Sequence, residues 1–236
     1  MGASPPPTPN ASRATASAWP SSPAALLFAG LGLAAALGAV PESGAAAETL
    51  RVDPGRSQLV VHTFKDGPAA WLGHDHVVQA AEVTGTVEHD PASPEATVVV
   101  VEVPTASLRA DDPALRRRLG LTGEVSASDR AEIEKAMRSA DQLDIARFPT
   151  IRFASSRVTR QPDGRLAVTG TLTIRGVSRE VTFPAEVTAE AAGALHGQAT
   201  LTLRQSSFGY RPYRAALGAI RNKDEVTLHV DLWAAP

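Results

Sequence analysis

Residues 148–184 read FPTIRFASSRVTRQPDGRLAVTGTLTIRGVSREVTFP, and this stretch decides the fold. Ile151, Phe153 and Ser155 alternate with Arg152, Ala154 and Ser156. After the turn Gln161-Pro162-Asp163-Gly164, Leu166, Val168, Gly170, Leu172 and Ile174 alternate with Ala167, Thr169, Thr171, Thr173 and Arg175. A second turn at Gly176 leads to Val181, Phe183, Ala185 and Val187, alternating with Thr182, Pro184, Glu186 and Thr188. Side chains on a strand point to opposite faces with period two, so three strands here share one apolar wall and one wetted wall. Threonine and β-branched residues suit such a half-buried pleated surface, and Pro-Asp-Gly supplies turn chemistry.

Working outward, 49–65 gives a short strand, a Pro54-Gly55 turn and a longer strand. The segment 71–76, WLGHDH, leads into an extended stretch ending near Asp90, and 95–103 is strongly β-branched. The last strands are 195–205 and 224–233, again alternating. Only 104–147 reads as helical. Asp112-Pro113 opens a short helix carrying Arg116, Arg117 and Arg118, expected as a solvated face. A second helix spans 129–140, capped by Ser128 or Asp129. About eight strands without intervening helices exclude parallel βαβ units, and closure into a barrel removes exposed edges. The expected fold is an all-β, antiparallel eight-stranded barrel over 48–236 with a short helical insertion.

The sequence has 236 residues, 43% hydrophobic and 20% charged, with net charge −2. That balance gives no case for nucleic acid as a partner. Cysteine is absent, which excludes disulfides, thiolate nucleophiles and thiolate metal sites. Residues 24–40, AALLFAGLGLAAALGAV, are uninterrupted apolar and are followed by Ala45-Ala46-Ala47. This pattern reads as a cleaved export signal over 1–47, with an uncleaved anchor as the alternative, and places the folded part in the periplasm or otherwise outside the cytoplasm.

Two segments of the opening stretch, Phe148-Pro149-Thr150-Ile151-Arg152-Phe153 and Gly170-Thr171-Leu172-Thr173-Ile174-Arg175-Gly176-Val177, resemble the diagnostic motifs of the YceI-like family. Ser207-Phe208-Gly209 and Asp224-Glu225-Val226 match two more in order, and the resemblance covers roughly 50–233. It departs where the family usually has an acidic residue and this chain has Ser207. The resemblance implies a lipocalin-like barrel that holds a polyisoprenoid, isoprenoid quinone or related long apolar molecule. It also implies a possible transient contact with a membrane or a membrane cytochrome. A dimer is possible, and no cofactor beyond a bound isoprenoid or quinone is called for.

The inward sets are nearly free of charge, so they favour a packed core or an apolar cavity over a water-filled channel. The candidate ligand-contacting residues are Val99, Val101, Phe153, Leu172, Ile174, Phe183, Leu201 and Phe208. Gly170, Ala185, Gly197 and Ala199 are small inward residues that either interdigitate with large ones or leave a slot for a thin chain. Gly73-His74-Asp75-His76 is the sharpest polar constellation. Odd positions such as Val77, Ala81, Val83 and Val87 read as inward, which turns His74 and His76 outward. With Tyr210, the His-Asp-His residues are candidates for a ligand's polar head at the barrel mouth. His74 and His76 could also chelate a metal, although no further ligand lies near them in sequence. Tyr210, Arg211, Tyr213 and Arg214 form a mixed aromatic and basic loop.

No hydrolase, zincin, phosphate-loop or dinucleotide motif is present, so the expectation is binding rather than catalysis. The alternatives are a metal-dependent binding protein or enzyme using His74 and His76, and a structural barrel with a filled core.

Overall fold

The computed structural model describes residues 47–236; the leader expected over 1–47 lies, but for Ala47, outside them. The strands are β1 (Glu48–Val52), β2 (Gln58–Asp66), β3 (His76–Ala80), β4 (Thr84–His89), β5 (Val98–Pro104) and β6 (Leu108–Ala110). After two helices, α1 (Pro113–Arg118) and α2 (Ala127–Arg138), come β7 (Thr150–Arg160), β8 (Leu166–Ile174), β9 (Val177–Ala189), β10 (Leu195–Arg204), β11 (Arg214–Ala215) and β12 (Ile220–Ala235).

β1 with β2, β3 with β4 and β5 with β6 are three long strands, each broken by a kink. Counted so, with β7, β8, β9, β10 and β12, the pairings run antiparallel from each strand to the next, and β12 closes the ring on β1 and β2. The result is an eight-stranded antiparallel barrel. The turn between β8 and β9 has two central residues, Arg175 and Gly176, with φ of 51° and 72°. Positive φ at both positions matches the twist of a tight hairpin. The ring of Phe148 lies against Gly176, where an added Cβ would come within 2.6 Å of it. The two motifs that opened the sequence reading therefore meet in space.

The helices are placed by their caps. Asp112 Oδ1 accepts from the backbone N–H groups of Ala114 and Leu115 at 3.0 and 2.9 Å, with Pro113 in the first turn. α2 begins two residues earlier than expected because Ser126, not Ser128 or Asp129, caps it, accepting from Asp129 N–H at 3.1 Å. β6 pairs with β3 but not with β7. α2 stands beside β6 there, with Glu134 accepting from Ala110 N–H and Arg138 donating to Leu108 O. Met137, Leu143 and Ile145 join Val52, Val83, Val103 and Leu108 in one apolar cluster.

Two further clusters fill the opposite end of the barrel. Leu50, Val87, Leu195 and Ala234 form one, and Val158, Leu166, Val168 and Ala185 form the other. Gly170 does not leave the gap expected of it. A Cβ there would lie 2.5 Å from Ala154 O and 2.6 Å from the ring tip of Phe153, which occupies the space. Gly197 does leave one, since the nearest atom to its Cβ position is Leu232 O at 3.9 Å. Gly170→Ala is therefore expected to destabilise the barrel by about 1–3 kcal/mol through overpacking against backbone. Gly197→Ala is expected to stay within about 0.5 kcal/mol of the parent. Paired urea titrations check the contrast.

Candidate functional site

Residues paired across the ladders share a face, so the barrel lining follows from the register. Val61 pairs with Leu228 and Leu228 with Leu201; Leu59 pairs with Val230 and Val230 with Ala199. On the far side Leu172 pairs with Phe153 and Phe153 with Val101. The candidate residues Val99, Val101, Phe153, Leu172, Ile174, Phe183 and Leu201 all fall on this inward face. Leu172 is buried; the others are half-buried. Val61, Val181, Leu203, Leu228 and Val230 also face inward and also remain half-buried. In a core filled at crystal-like density such positions would lose almost all exposure. The lining along β2, β9, β10 and β12 is thus apolar and accessible. These additional wall residues carry the same alternation that flagged the candidates.

The ladder of the wall breaks on that side. The β9–β10 ladder runs from Leu195–Ala189 to Ala199–Ala185 and stops. The next residue of β9 is Pro184, which has no N–H to give a ladder. Beyond it, Val181, Thr182, Phe183 and Pro184 face Thr200, Leu201, Thr202 and Leu203 across a recess of about 340 Å³. Inward and outward residues of both strands border this recess, which lies at the break in the ladder. Pro184 and Thr200 also border an outer groove of about 550 Å³ that reaches α1 at Arg118 and Leu119. Phe208, the eighth candidate, is only 2% exposed and lies in the turn Gln205–Phe208 that follows β10. This turn is tied through Ser206, the neighbour of Ser207: Ser206 donates from N–H and Oγ to Asp224 at 2.8 and 2.6 Å.

The polar constellation differs from expectation in three ways. First, the strand phase slips at 81–83, between β3 and β4. Val78 and Ala80 pack inward, Val77 faces outward against Val60 and Leu115, and Ala81 is exposed, while Val83 and Val87 point inward again. His76 therefore takes the inward phase with Val78, not the outward one. Second, His74 precedes the strand, is exposed, and sits beside Gly123, so it does not share a strand face with His76. Third, Arg116 is not on a solvated face. It is 4% exposed and donates to Asp111 Oδ1 at 2.6 Å, to Asp75 O at 2.7 Å, and to the carbonyls of Thr122 and Gly123.

Asp111, which the sequence reading passed over, is the hub of this network. It is fully buried, accepts from Val77 N–H at 3.1 Å, and meets His76 Nδ1 at 2.6 Å. Burial works against its charge, but the hydrogen bond and charge of His76, the Val77 N–H and Arg116 outweigh it and hold the carboxyl below its ordinary range. Asp75 accepts from Lys65 N–H at 2.8 Å. With His76 Nδ1 committed to Asp111, the two histidines do not converge, and among the described residues no group of three or more His, Cys, Asp or Glu is placed to hold a metal ion.

Tyr210 packs against the cluster around Val103 and Leu108. Burial, helped by the charge of Asp224 and opposed by Arg175, pushes its hydroxyl up to about 12, so it stays a neutral donor. No hydrogen bond joins it to His74, Asp75 or His76 among the described residues. The four candidates do not form one hydrogen-bonded cluster among the described residues.

His62 is a further titratable group under α1, and its Nε2 is buried without a protein partner. Burial lowers its pKa below 6.5, with His229 and Arg116 pushing the same way and Asp75 opposing. The unfolded chain then takes up the proton more readily, so stability falls as pH drops through 6.5 towards the lowered folded value. His62→Gln is expected to flatten that part of the slope in thermal melts between about pH 7.5 and about pH 5.

A family model described as a YceI-like domain matches residues 51–234. The chain is 31% identical over 156 residues to a UPF0312 protein of Pseudomonas putida, covering 64% of this chain and 72% of that one. A UPF0312 protein of Pseudomonas fluorescens is 30% identical over the same shares. Among solved structures, Burkholderia cenocepacia BcnA aligns with a TM-score of 0.59 at 19% identity, over 78% of this chain and 99% of that one. A polyisoprenoid binding domain from Saccharophagus degradans, implicated in plant cell wall breakdown, aligns with a TM-score of 0.54 at 12% identity, over 80% and 99%. At these identities the structural likeness is one of fold.

Proposed function

The chain belongs to the YceI-like domain family, and from that premise we propose that it is an extracytoplasmic binding protein that holds a long, thin apolar molecule, a polyisoprenoid or isoprenoid quinone, inside its barrel. The observation that carries the reading is the inward wall formed by Val61, Val181, Phe183, Leu201, Leu203, Leu228 and Val230, apolar yet only half-buried. Such a wall rewards hydrocarbon: each buried methylene contributes about 0.8 kcal/mol before the costs of association are met. The Saccharophagus degradans neighbour, by its description a polyisoprenoid binder, supports the ligand class. The apolar run 24–40 followed by Ala45-Ala46-Ala47 supports export.

The activity is binding rather than catalysis, in keeping with an inward lining of aliphatic and aromatic side chains. The role of the candidate wall residues is to exclude water along the tail. Native mass spectrometry of protein purified gently from its own extracytoplasmic fraction is expected to show a non-covalent hydrocarbon-rich adduct that organic extraction removes. Protein that is empty after gentle purification and takes up no polyisoprenoid alcohol or quinone afterwards contradicts the proposal.

A further inference from the structure

The end of the barrel where β12 begins carries two touching loops, 67–73 and 213–219. Ala69 N–H donates to Ala219 O at 3.0 Å, and Asn222 N–H donates to Tyr213 O at 3.0 Å. Their tips are apolar and out in solvent: Trp71 is 78% exposed, Leu72 55%, Leu217 111% and Tyr213 45%. Single exposed apolar residues are ordinary, but a tryptophan and two leucines on adjoining tips are not.

The backbone adds an independent observation. Ala216, Leu217 and Gly218 run consecutively at φ of 48°, 55° and 89°. Left-handed geometry is costly for a residue with a branched side chain, and such cost is kept where something other than folding uses it. Here it points leucine outward from a position where glycine would be easier.

Cations surround the tips. Lys65, Arg211, Arg214 and Lys223 are exposed on the flanking segments. Asp66 is paired with Arg221 at 2.8 Å, while Asp75 and Asp224 keep their charge and accept from Lys65 N–H and from Ser206, so the four exposed cations outnumber these two acids. An apolar tip within a basic collar fits the interface of an anionic bilayer, where aromatic and aliphatic side chains enter the acyl boundary and lysine and arginine meet phosphates.

We propose that the loop pair 67–73 and 213–219 is a membrane-docking tip, inserting Trp71, Leu72 and Leu217 into an anionic lipid surface. The break between β9 and β10 lies in the same half of the barrel, so docking brings it towards the lipid.

The absence of cysteine makes a local test simple. Leu217→Cys carries a polarity-sensitive dye at the tip, and Ala92→Cys carries the same dye on the exposed turn after β4, at the opposite end of the barrel. Vesicles of phosphatidylglycerol and phosphatidylcholine are added to each full-length protein. The tip dye is expected to shift to the blue while the Ala92→Cys dye does not. The response should weaken about tenfold or more in pure phosphatidylcholine or at high salt. Trp71→Ser with Leu72→Ser, tested in the dye-labelled protein, should weaken it about tenfold or more as well.

Leu217→Gly relieves the strained position, so it should melt no lower than the parent yet bind vesicles more weakly. A tip dye silent towards vesicles, or equal responses at both ends, overturns the proposal. So does a concentration-dependent dimer, abolished by Trp71→Ser, that buries the tips without vesicle binding.

Discussion

Asp111→Ala lowers the stability of the barrel by about 3–5 kcal/mol, the effect expected when one partner of a buried ion pair is removed and the other is left charged in the dark. For a domain of this size that is on the order of 10 °C in Tm. The reason lies in Arg116, which stays 4% exposed beneath the loop 119–123 with only carbonyl oxygens left to answer its charge. Losing Asp111 also releases His76 and the Val77 N–H together. The double variant Asp111→Leu/Arg116→Met is expected to cost less than Asp111→Ala alone, because it removes the stranded charge.

The pH dependence has a definite sign. The folded pKa of Asp111 lies below 3.8, so its contribution is whole above that value and drains away as pH falls through it towards the folded one. The acid limb of the stability curve should be shallower in Asp111→Ala. Thermal melts of the three proteins down to about pH 3 give both results.

The second large effect concerns the ligand. Leu228 sits mid-wall between Leu201 and Val61, facing inward and half-buried. Leu228→Glu places a carboxylate where hydrocarbon is to lie. In the empty protein water still reaches this position, so the fold tolerates the change. Covering the charge with an oily tail costs several kcal/mol, and each ~1.4 kcal/mol is tenfold, so binding should weaken at least about 100-fold. Thr159→Glu, on an exposed position of β7, should leave affinity unchanged. Equilibrium titration with a long-chain prenol compares the two, with circular dichroism confirming that each barrel is intact.

The parts legible in the sequence were those governed by local period. Alternation in 166–174 and 195–204 identified the inward face, and the turn at Gly176 was marked by the residue that its positive φ favours. The kinks were less legible. Whether Val77 faces in or out depends on how the chain passes 81–83, and alternation cannot count residues through a break. Arg116 looked like one of three solvated arginines because its partner, Asp111, is itself buried only by elements far apart in sequence. The cap of α2 reads in sequence as Ser128 or Asp129, but Ser126, an equally competent acceptor two residues upstream of Ser128, takes the role. Gly170 and Gly197 looked alike as small inward residues. Only packing shows that Phe153 fills one space and that the other is open.

The break between β9 and β10 has a visible signal in Pro184, although alternation alone marks it only as an outward residue. A proline inside a strand marks where one ladder ends. The ligand itself is the step that the residues describe by class, as oily and thin, through the wall that receives it.

The most direct measurement of the central claim, that hydrocarbon occupies the accessible interior, is the affinity of the purified protein for a graded series of polyisoprenoid alcohols. If the tail lies along the wall from Val61 to Leu203, affinity rises with each added isoprene unit and levels off once the interior is full. Affinity that does not change with chain length, or no binding at any length, contradicts the account.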